Sequence, residues 1–374
     1  MGVVQIIMVV LALLSVGLSA VAILRDKPLS WEFAAVAPVD PLGDPLFEMV
    51  FDYTAPAGQA HSPSVVRRGD GFSVLWFQGS QEAQADVDIF EARFARGERG
   101  WQVSEPARRV TRGALGDAME PLQLIVTLGN TIEDESAAGS LFATVVSVGG
   151  WAMASVAQVG MGPDGPLTAR KLNLSPLLNR SHLVKSPMVG YADGSMGLPA
   201  YFEMGRMHGV MVRFGRDGRV RDTRRMDGPG LQPIQPMVVP LDATRAVAFL
   251  RNFDTTRTKL LISYTDDGGQ SWSAVVESAI ETPSSPVAAL SLGGDRILMA
   301  VNDDAGRPGQ LSLNLSEDSG ESWQVLHRFD GGAGARRYPM LRRLESGEIV
   351  LSYSHATKGG IRVHVLNDAW IAAQ

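Results

Sequence analysis

A short motif occurs twice in this chain, and the two copies are 51 residues apart. They read Thr265-x-Asp267-x-Gly269-x-Ser271-Trp272 and Ser316-x-Asp318-x-Gly320-x-Ser322-Trp323. Each copy follows an apolar run with the composition of a β-strand. The carboxylate and hydroxyl oxygens can accept hydrogen bonds from the amides of a tight turn, while glycine tolerates a positive φ. A fixed turn that recurs at about fifty residues predicts a β-propeller, in which each repeat forms one blade.

Turns that precede apolar runs give the number of blades. Their markers are Gly71, Gly139, Gly194, Ala243, Gly294 and Gly347, at intervals of 68, 55, 49, 51 and 53 residues. Six such repeats predict an all-β fold with six blades. The long first interval predicts an insertion near residues 112–122. The segment Leu46–Tyr53 has strand composition, and we expect it to pair with the last blade beside Ile361–Leu366, which would close the ring and leave no long open edge.

The first residues have a different composition from the rest. Val3–Leu24 contains no charged residue, and as a helix these 22 residues would be about 33 Å long, enough to span a bilayer. We therefore predict an uncleaved membrane anchor over residues 1–27, a linker over 28–45 and the propeller over 46–374. The alternative is a cleaved signal peptide, because Ala20-Val21-Ala22 resembles a signal-peptidase site.

Charge and composition exclude some classes of function. The 374 residues carry a formal net charge of −6, which offers nucleic acid no electrostatic attraction. Cysteine is absent, so disulfides and thiolate metal sites are excluded. The six histidines are not spaced as metal ligands, and we predict neither a metal nor another cofactor.

The repeated motif resembles the Asp box of sialidases. From about residue 60 to 370 the chain resembles the bacterial sialidase-like family with neuraminidase repeats. The segments that carry the likeness, besides the two boxes, are 147–151, 235–241 and 361–370. The resemblance implies a six-bladed propeller that hydrolyses terminal sialic acids of a glycan. It also implies a tyrosine nucleophile with a partner carboxylate, an aspartate acid/base, and three arginines that bind the sugar carboxylate.

Three residues match that catalytic set. The resemblance implies that Tyr338, at the start of the last blade, is the nucleophile and that Asp86 is the acid/base. Arg251 matches one of the carboxylate-binding arginines. A phenol suits attack on an anionic sugar because it is neutral, and a guanidinium suits a carboxylate because the two pair bidentately.

Other positions of the set are changed. His61 stands where the first arginine is expected, and Gln235 stands where the carboxylate that activates the tyrosine is expected. The third arginine is either Arg307 or absent, because Gln310 aligns equally well. An amide cannot accept the phenol proton, and the lost general base predicts a rate about 10²–10⁴ lower. Glu82 is a candidate substitute carboxylate.

The sequence leaves three functions open. The first is an exo-glycosidase for a terminal acidic sugar, in which Asp86, Tyr338, Arg251 and His61 act together, with Glu203 and Trp151 at the mouth. The second is a glycan-binding or scaffold protein of a polysaccharide assembly system. The third is a sugar-acid lyase with His61 as base. Arg25 and Lys27 favour a cytoplasmic side after the anchor, whereas the resemblance implies an exported, periplasmic or surface propeller.

Overall fold

The computed structural model describes residues 2–25, 28–34, 36–41, 43–98, 100–135, 139–175, 179–329 and 334–374. It contains two compact units, Met1–Ser30 and Trp31–Gln374. The first unit holds helix α1 (Val3–Arg25), of which Val3–Ile23 is long and apolar enough to cross a membrane. The second unit is almost entirely β-structure.

Within the described residues the strands form six antiparallel sheets, which confirms the predicted six-bladed propeller. Strand β1 (Phe47–Thr54) comes first in the chain but belongs to the last sheet. Blade 1 contains β2 (Gln59–Arg68), β3 (Gly71–Gly79), β4 (Asp88–Gly97), β5 (Gly100–Val103) and β6 (Ala107–Val110). Helix α2 (Arg112–Asp117) follows, in the region of the predicted insertion.

The middle blades follow in chain order. Blade 2 contains β7 (Thr127–Glu133), β8 (Ser140–Val146), β9 (Ser155–Gly162) and β10 (Gly165–Lys171). Blade 3 contains β11 (His182–Val184), β12 (Val189–Gly190), β13 (Met196–Phe202), β14 (His208–Phe214) and β15 (Val220–Met226). Blade 4 contains β16 (Pro233–Pro240), β17 (Ala246–Asn252), β18 (Lys259–Thr265) and β19 (Val276–Glu281).

The last two blades complete the ring. Blade 5 contains β20 (Ala288–Gly293), β21 (Arg296–Val301), β22 (Leu311–Ser316) and β23 (Gln324–Phe329). Blade 6 contains β24 (Arg337–Arg343), β25 (Ile349–His355) and β26 (Gly360–Leu366), and helix α3 (Asp368–Ala372) ends the chain. Strand β1 pairs antiparallel with β26, which confirms the predicted closure. The first strands of neighbouring blades contact each other around the axis, and β2 touches β24.

The repeated motif braces its turn as its residue types predict. In the first copy, Ser271 donates its amide N–H and its hydroxyl to the two carboxylate oxygens of Asp267, at 2.9 and 2.6 Å. In the second copy, Gly320 has a φ of 93° and donates its N–H to Ser316 Oγ at 2.8 Å. These side chains are engaged in holding the turn, so the motif is structural.

The segment before β1 packs on the propeller. Phe33 is 1% exposed, its ring centroid lies 5.0 Å from that of Tyr191, and its N–H donates to Ala243 O at 2.7 Å. Ala34 donates its N–H to Gly190 O at 3.0 Å. Part of the stretch predicted as a linker over 28–45 is therefore bound to blades 3 and 4.

Candidate functional site

Five of the six blades begin with a residue in the left-handed backbone region. These residues are Ser62, Ser181, Gln235, Ser284 and Tyr338, with φ between 49° and 62°. In β2, β16 and β24 the register of strand pairing also shifts at this point. A bulge of this kind turns a side chain away from the regular strand direction. Each non-glycine residue of this kind costs about 1–3 kcal/mol, and such strain is concentrated at functional sites.

A cavity of about 360 Å³, here called the mouth cavity, lies among these strand starts. Its polar lining residues are Glu82, Asn130, Thr144, Tyr201, Glu203, Gln235, Arg251 and Tyr338, and its large apolar ones are Phe77, Trp151, Leu183 and Phe253. They come from blades 1, 2, 3, 4 and 6. The volume and the mixture of apolar walls with a few polar groups are typical of a small-molecule site.

Arg251 connects the polar residues of the mouth cavity. Its Nη1 donates to Tyr338 Oη and to Gln235 Oε1, both at 3.4 Å, and its Nε donates to Ser284 Oγ at 3.1 Å. The Gln235 amide in turn donates from Nε2 to Tyr201 Oη at 3.3 Å. Burial raises the pKa of Tyr201 well above its usual value, so this phenol stays neutral. The guanidinium group of Arg251 thus contacts three residues with left-handed backbone, Gln235, Ser284 and Tyr338.

A second cavity of about 390 Å³, here called the side cavity, shares Arg251 and Tyr338 with the first. It is also lined by His61, Arg337 and Lys358. No ion pair of Arg251 or Arg337 is present among the described residues. Burial, and then the charge of Arg251, lowers the pKa of Arg337. Two guanidinium groups beside a cavity, neither in an ion pair within the described part of the chain, are suited to an anionic ligand.

His61 lies against Tyr338 inside the side cavity. The imidazole is 1% exposed, and its ring centroid is 4.4 Å from that of Tyr338 at an interplanar angle of 63°. Neither ring nitrogen has a hydrogen-bond partner in the described part of the chain. Burial, and then the charges of Lys358 and Arg337, lowers the pKa of His61 well below its usual value. The ring is therefore neutral at pH 7 and offers one donor and one acceptor.

Two carboxylates of the mouth cavity have different surroundings. Glu82 forms an ion pair with Lys358 Nζ, and its backbone N–H donates to Gln59 Oε1 at 2.8 Å. Glu203 is half-buried, and its carboxylate forms no ion pair among the described residues. Burial raises the pKa of Glu203, with Arg251 opposing the rise and Glu82 adding to it.

The structure places the remaining two candidates outside both cavities. Asp86 is on an exposed loop, where Ser80 donates its N–H and its hydroxyl to the carboxylate, each at 3.0 Å. These bonds lower the pKa of Asp86 and favour the charged form, whereas a general acid must carry a proton. Arg307 forms an ion pair with Asp304 at 2.7 Å and its side chain is 60% exposed. The roles expected for Asp86 and Arg307 stay predictions.

Five of the site residues predicted from the sequence line the mouth cavity, the side cavity or both. They are His61, Glu82, Gln235, Arg251 and Tyr338. Sequence reasoning also placed Glu203 and Trp151 at the mouth. It assigned no role to Tyr201, Arg337 or Lys358. Arg337 stands beside Tyr338 in the sequence, whereas Lys358 lies on the β25–β26 turn and reaches the site only through the fold. In the described residues no group of three His, Asp or Glu side chains could hold a metal.

The family of the chain follows from its repeats. The model of the BNR repeat-like domain matches residues 70–365, which is most of the propeller. The chain belongs to the BNR repeat-like family. No curated protein matches this BNR repeat-like chain at a significant level.

Solved structures share the fold of this BNR repeat-like propeller at low sequence identity. A Dyadobacter fermentans protein of unknown function has a TM-score of 0.62 at 12% identity, over 86% of this chain and 99% of that one. The NanB sialidase of Streptococcus pneumoniae has a TM-score of 0.62 at 13% identity, over 88% and 71%. Trypanosoma rangeli sialidase in complex with the inhibitor DANA has a TM-score of 0.60 at 10% identity, over 85% and 56%. The chain thus spans little more than half of the trypanosomal enzyme. The repeats and these neighbours confirm the predicted sialidase-like superfamily.

Proposed function

We propose that this BNR repeat-like protein is a sialidase-like exo-glycosidase for a terminal acidic sugar of a glycan. The observation that carries the proposal is the strained position of Tyr338, whose φ is 56° and whose hydroxyl lies 3.4 Å from Arg251 Nη1. A bulky residue is held in the left-handed region only when its surroundings fix it there, and such strain is typical of functional sites.

The charges around Tyr338 support an acidic sugar as the ligand. The acid group would lie in the side cavity, where Arg251 and Arg337 form no ion pair among the described residues and where neutral His61 supplies one N–H donor. Charge-assisted hydrogen bonds of this kind contribute about 1.5–3 kcal/mol each. The uncharged part of the ring would then pack on Trp151 and Phe77 in the mouth cavity.

Tyr338 would stabilise the positive charge that develops at the anomeric carbon. Tyr338 lines both cavities, and a phenol, unlike a carboxylate nucleophile, brings no negative charge against the acid group of the sugar. Gln235 cannot accept the phenol proton. Its amide instead links Arg251 to Tyr201, so it supports the geometry of the site and not a proton transfer.

The propeller would act outside the cytoplasm. The apolar helix Val3–Ile23 is long enough to anchor it in a membrane, and the propeller would then be periplasmic or exposed at the cell surface. Cleavage after a signal-like segment would instead release it as a secreted protein. Protease accessibility of the propeller in intact cells and in spheroplasts distinguishes these locations from a cytoplasmic one.

The test of hydrolysis compares wild type with Tyr338→Phe. We expect release of 4-nitrophenol from aryl glycosides of sialic and related acids, and a kcat/KM lower by about 10²-fold or more in the variant. Tyr264→Phe, a change on the outer surface of blade 4, serves as the matched control and should keep full activity. Equal activity of Tyr338→Phe and wild type would exclude Tyr338 from the reaction.

The second candidate is a glycan-binding or scaffold propeller that uses the same cavities without turnover. Two observations favour it, the amide at Gln235 in place of a carboxylate and the position of Asp86 outside both cavities. It predicts saturable binding of an acidic sugar by calorimetry, weakened in Arg251→Met, with no product formed over days.

A further inference from the structure

We infer that Glu203 is the group that protonates the leaving oxygen in this site, the role that the family resemblance implied for Asp86, which lies outside both cavities. The inference rests on the proposed glycosidase function. It identifies a catalytic carboxyl on blade 3, a blade to which the family resemblance assigned no catalytic residue.

The fold fixes Glu203 at the mouth cavity through its backbone. Its N–H donates to Ser181 O at 3.1 Å and to Ser181 Oγ at 3.2 Å, and Ser181 is the left-handed residue at which blade 3 begins. The carboxyl group follows β13 directly and lines the cavity together with Arg251 and Tyr338. Glu203 is therefore tied through its backbone to the strained residue at the start of blade 3, and it lines the same cavity as the proposed reaction centre.

The side chain of Glu203 is free to act on a ligand. It forms no ion pair within the described part of the chain, while Glu82, the other carboxylate of the cavity, is paired with Lys358. Burial raises the pKa of Glu203, and the cavity that it lines is also lined by Trp151 and Phe253. A carboxyl group in such a setting keeps its proton to higher pH, as a general acid requires.

Hydrolysis can then be written with Glu203 alone as acid and base. The bond between the anomeric carbon and the leaving oxygen breaks, its electron pair remains on that oxygen, and the oxygen takes the Glu203 proton. The anomeric carbon, with its charge stabilised by the Tyr338 phenol, then forms a bond to a water oxygen. That water returns a proton to the Glu203 carboxylate, which restores the starting state.

The experiment compares two leaving groups on the full-length protein in detergent. Nitrophenolate is a stable anion that departs without a proton, whereas the methyl glycoside releases methanol only when its leaving oxygen is protonated. A comparison of 4-nitrophenyl with methyl glycosides therefore isolates the proton transfer to the leaving group from the other steps of hydrolysis. The sugars are N-acetylneuraminic acid and 2-keto-3-deoxynononic acid. We expect Glu203→Gln to lower kcat/KM for the methyl glycosides by about 10²–10⁴-fold, and for the nitrophenyl glycosides by less than about tenfold. The fall of wild-type activity at alkaline pH should disappear in the variant.

Asp86→Asn is the matched control. We expect this substitution to change kcat/KM by the same factor for the methyl and the nitrophenyl glycosides. A leaving-group-dependent loss in Asp86→Asn, or an equal loss on both substrates in Glu203→Gln, would overturn the assignment. If Glu203→Gln does not fold, Glu203→Asp keeps a carboxyl group and should show a smaller loss that is confined to the methyl glycosides. Turnover by wild type reports on the proposed function separately, and its absence on every glycoside would overturn both proposals.

Discussion

Lys185 provides a sharp test of how the centre of the propeller is built. It follows β11, is 3% exposed, and donates from Nζ to Pro339 O at 2.6 Å and to Val287 O at 3.2 Å. These carbonyl groups belong to blades 6 and 5, so the ammonium links three blades next to Tyr338. No charged group among the described residues compensates it, and burial lowers its pKa to about 7.

The lowered pKa makes the free energy of unfolding depend on pH. The unfolded chain binds the Lys185 proton up to a pH near 10.5, whereas the folded chain releases it near 7, so stability rises as pH increases between these values. At 1.36 kcal/mol per pH unit, the full rise is about 5 kcal/mol, and the part between pH 7 and 9.5 is about 3 kcal/mol. Methionine has a similar volume and no charge, so Lys185→Met should lack this rise.

Urea unfolding of the full chain in detergent, followed by tryptophan fluorescence at several pH values, measures the effect. Lys259→Met, in the third strand of blade 4, controls for loss of a half-buried lysine that is paired with Glu281, and it should follow wild type. Between pH 7 and 9.5 the free energy of unfolding of wild type and of Lys259→Met should rise by about 3 kcal/mol more than that of Lys185→Met. Parallel pH profiles for all three proteins would show that Lys185 keeps an ordinary pKa, and would refute the argument.

Three further predictions concern the fold. Phe33→Ala should lower the free energy of unfolding by about 3–5 kcal/mol because it empties a buried site between blades 3 and 4, while exposed Phe253→Ala should cost less than about 1 kcal/mol in the same urea titration. Gly320→Ala should cost about 1–2 kcal/mol, since a Cβ would lie 3.1 Å from the Phe249 ring at a φ of 93°; Gly113→Ala, where the space is open, should cost little. Hydrogen bonds from Ser322, then from Ser316, lower the pKa of Asp318 to about 2, so its contribution is complete above pH 3.8 and is lost toward pH 2. Acid titration of Asp318→Asn should therefore show a shallower loss of stability than wild type, and an unchanged acid limb would contradict the proposed turn contacts.

The regular spacing of the repeats explains why much of the site could be predicted. Residues that introduce a blade are repeated at regular spacing, and a propeller carries all of them to one end of its axis. His61, Gln235 and Tyr338 could therefore be grouped before the fold was known. Arg251 and Glu82 could be grouped for the same reason, since Arg251 lies at the end of the second strand of blade 4 and Glu82 comes just after the second strand of blade 1.

Loop residues could not be predicted in this way. Asp86 has the right residue type and distance from β3, but the Ser80 hydroxyl and amide hold its carboxylate on the exposed loop. Arg307 pairs with Asp304, three residues earlier, and stays at the surface. Hydrogen bonds and ion pairs with residues nearby in the sequence fix where such loop side chains lie. Several conformations of a loop are compatible with one sequence pattern.

The repeated turns, the spacing of the apolar runs and the strand before the first blade were sufficient for the number of blades and the closure of the ring. These features depend on local periodicity, which is carried by the sequence itself. The burial of Lys185, the lack of an ion pair at Arg337 among the described residues and the environment of Glu203 depend on which blades meet at the axis. Desolvation and charge compensation are sums over neighbours from distant parts of the chain, so only the tertiary structure decides them.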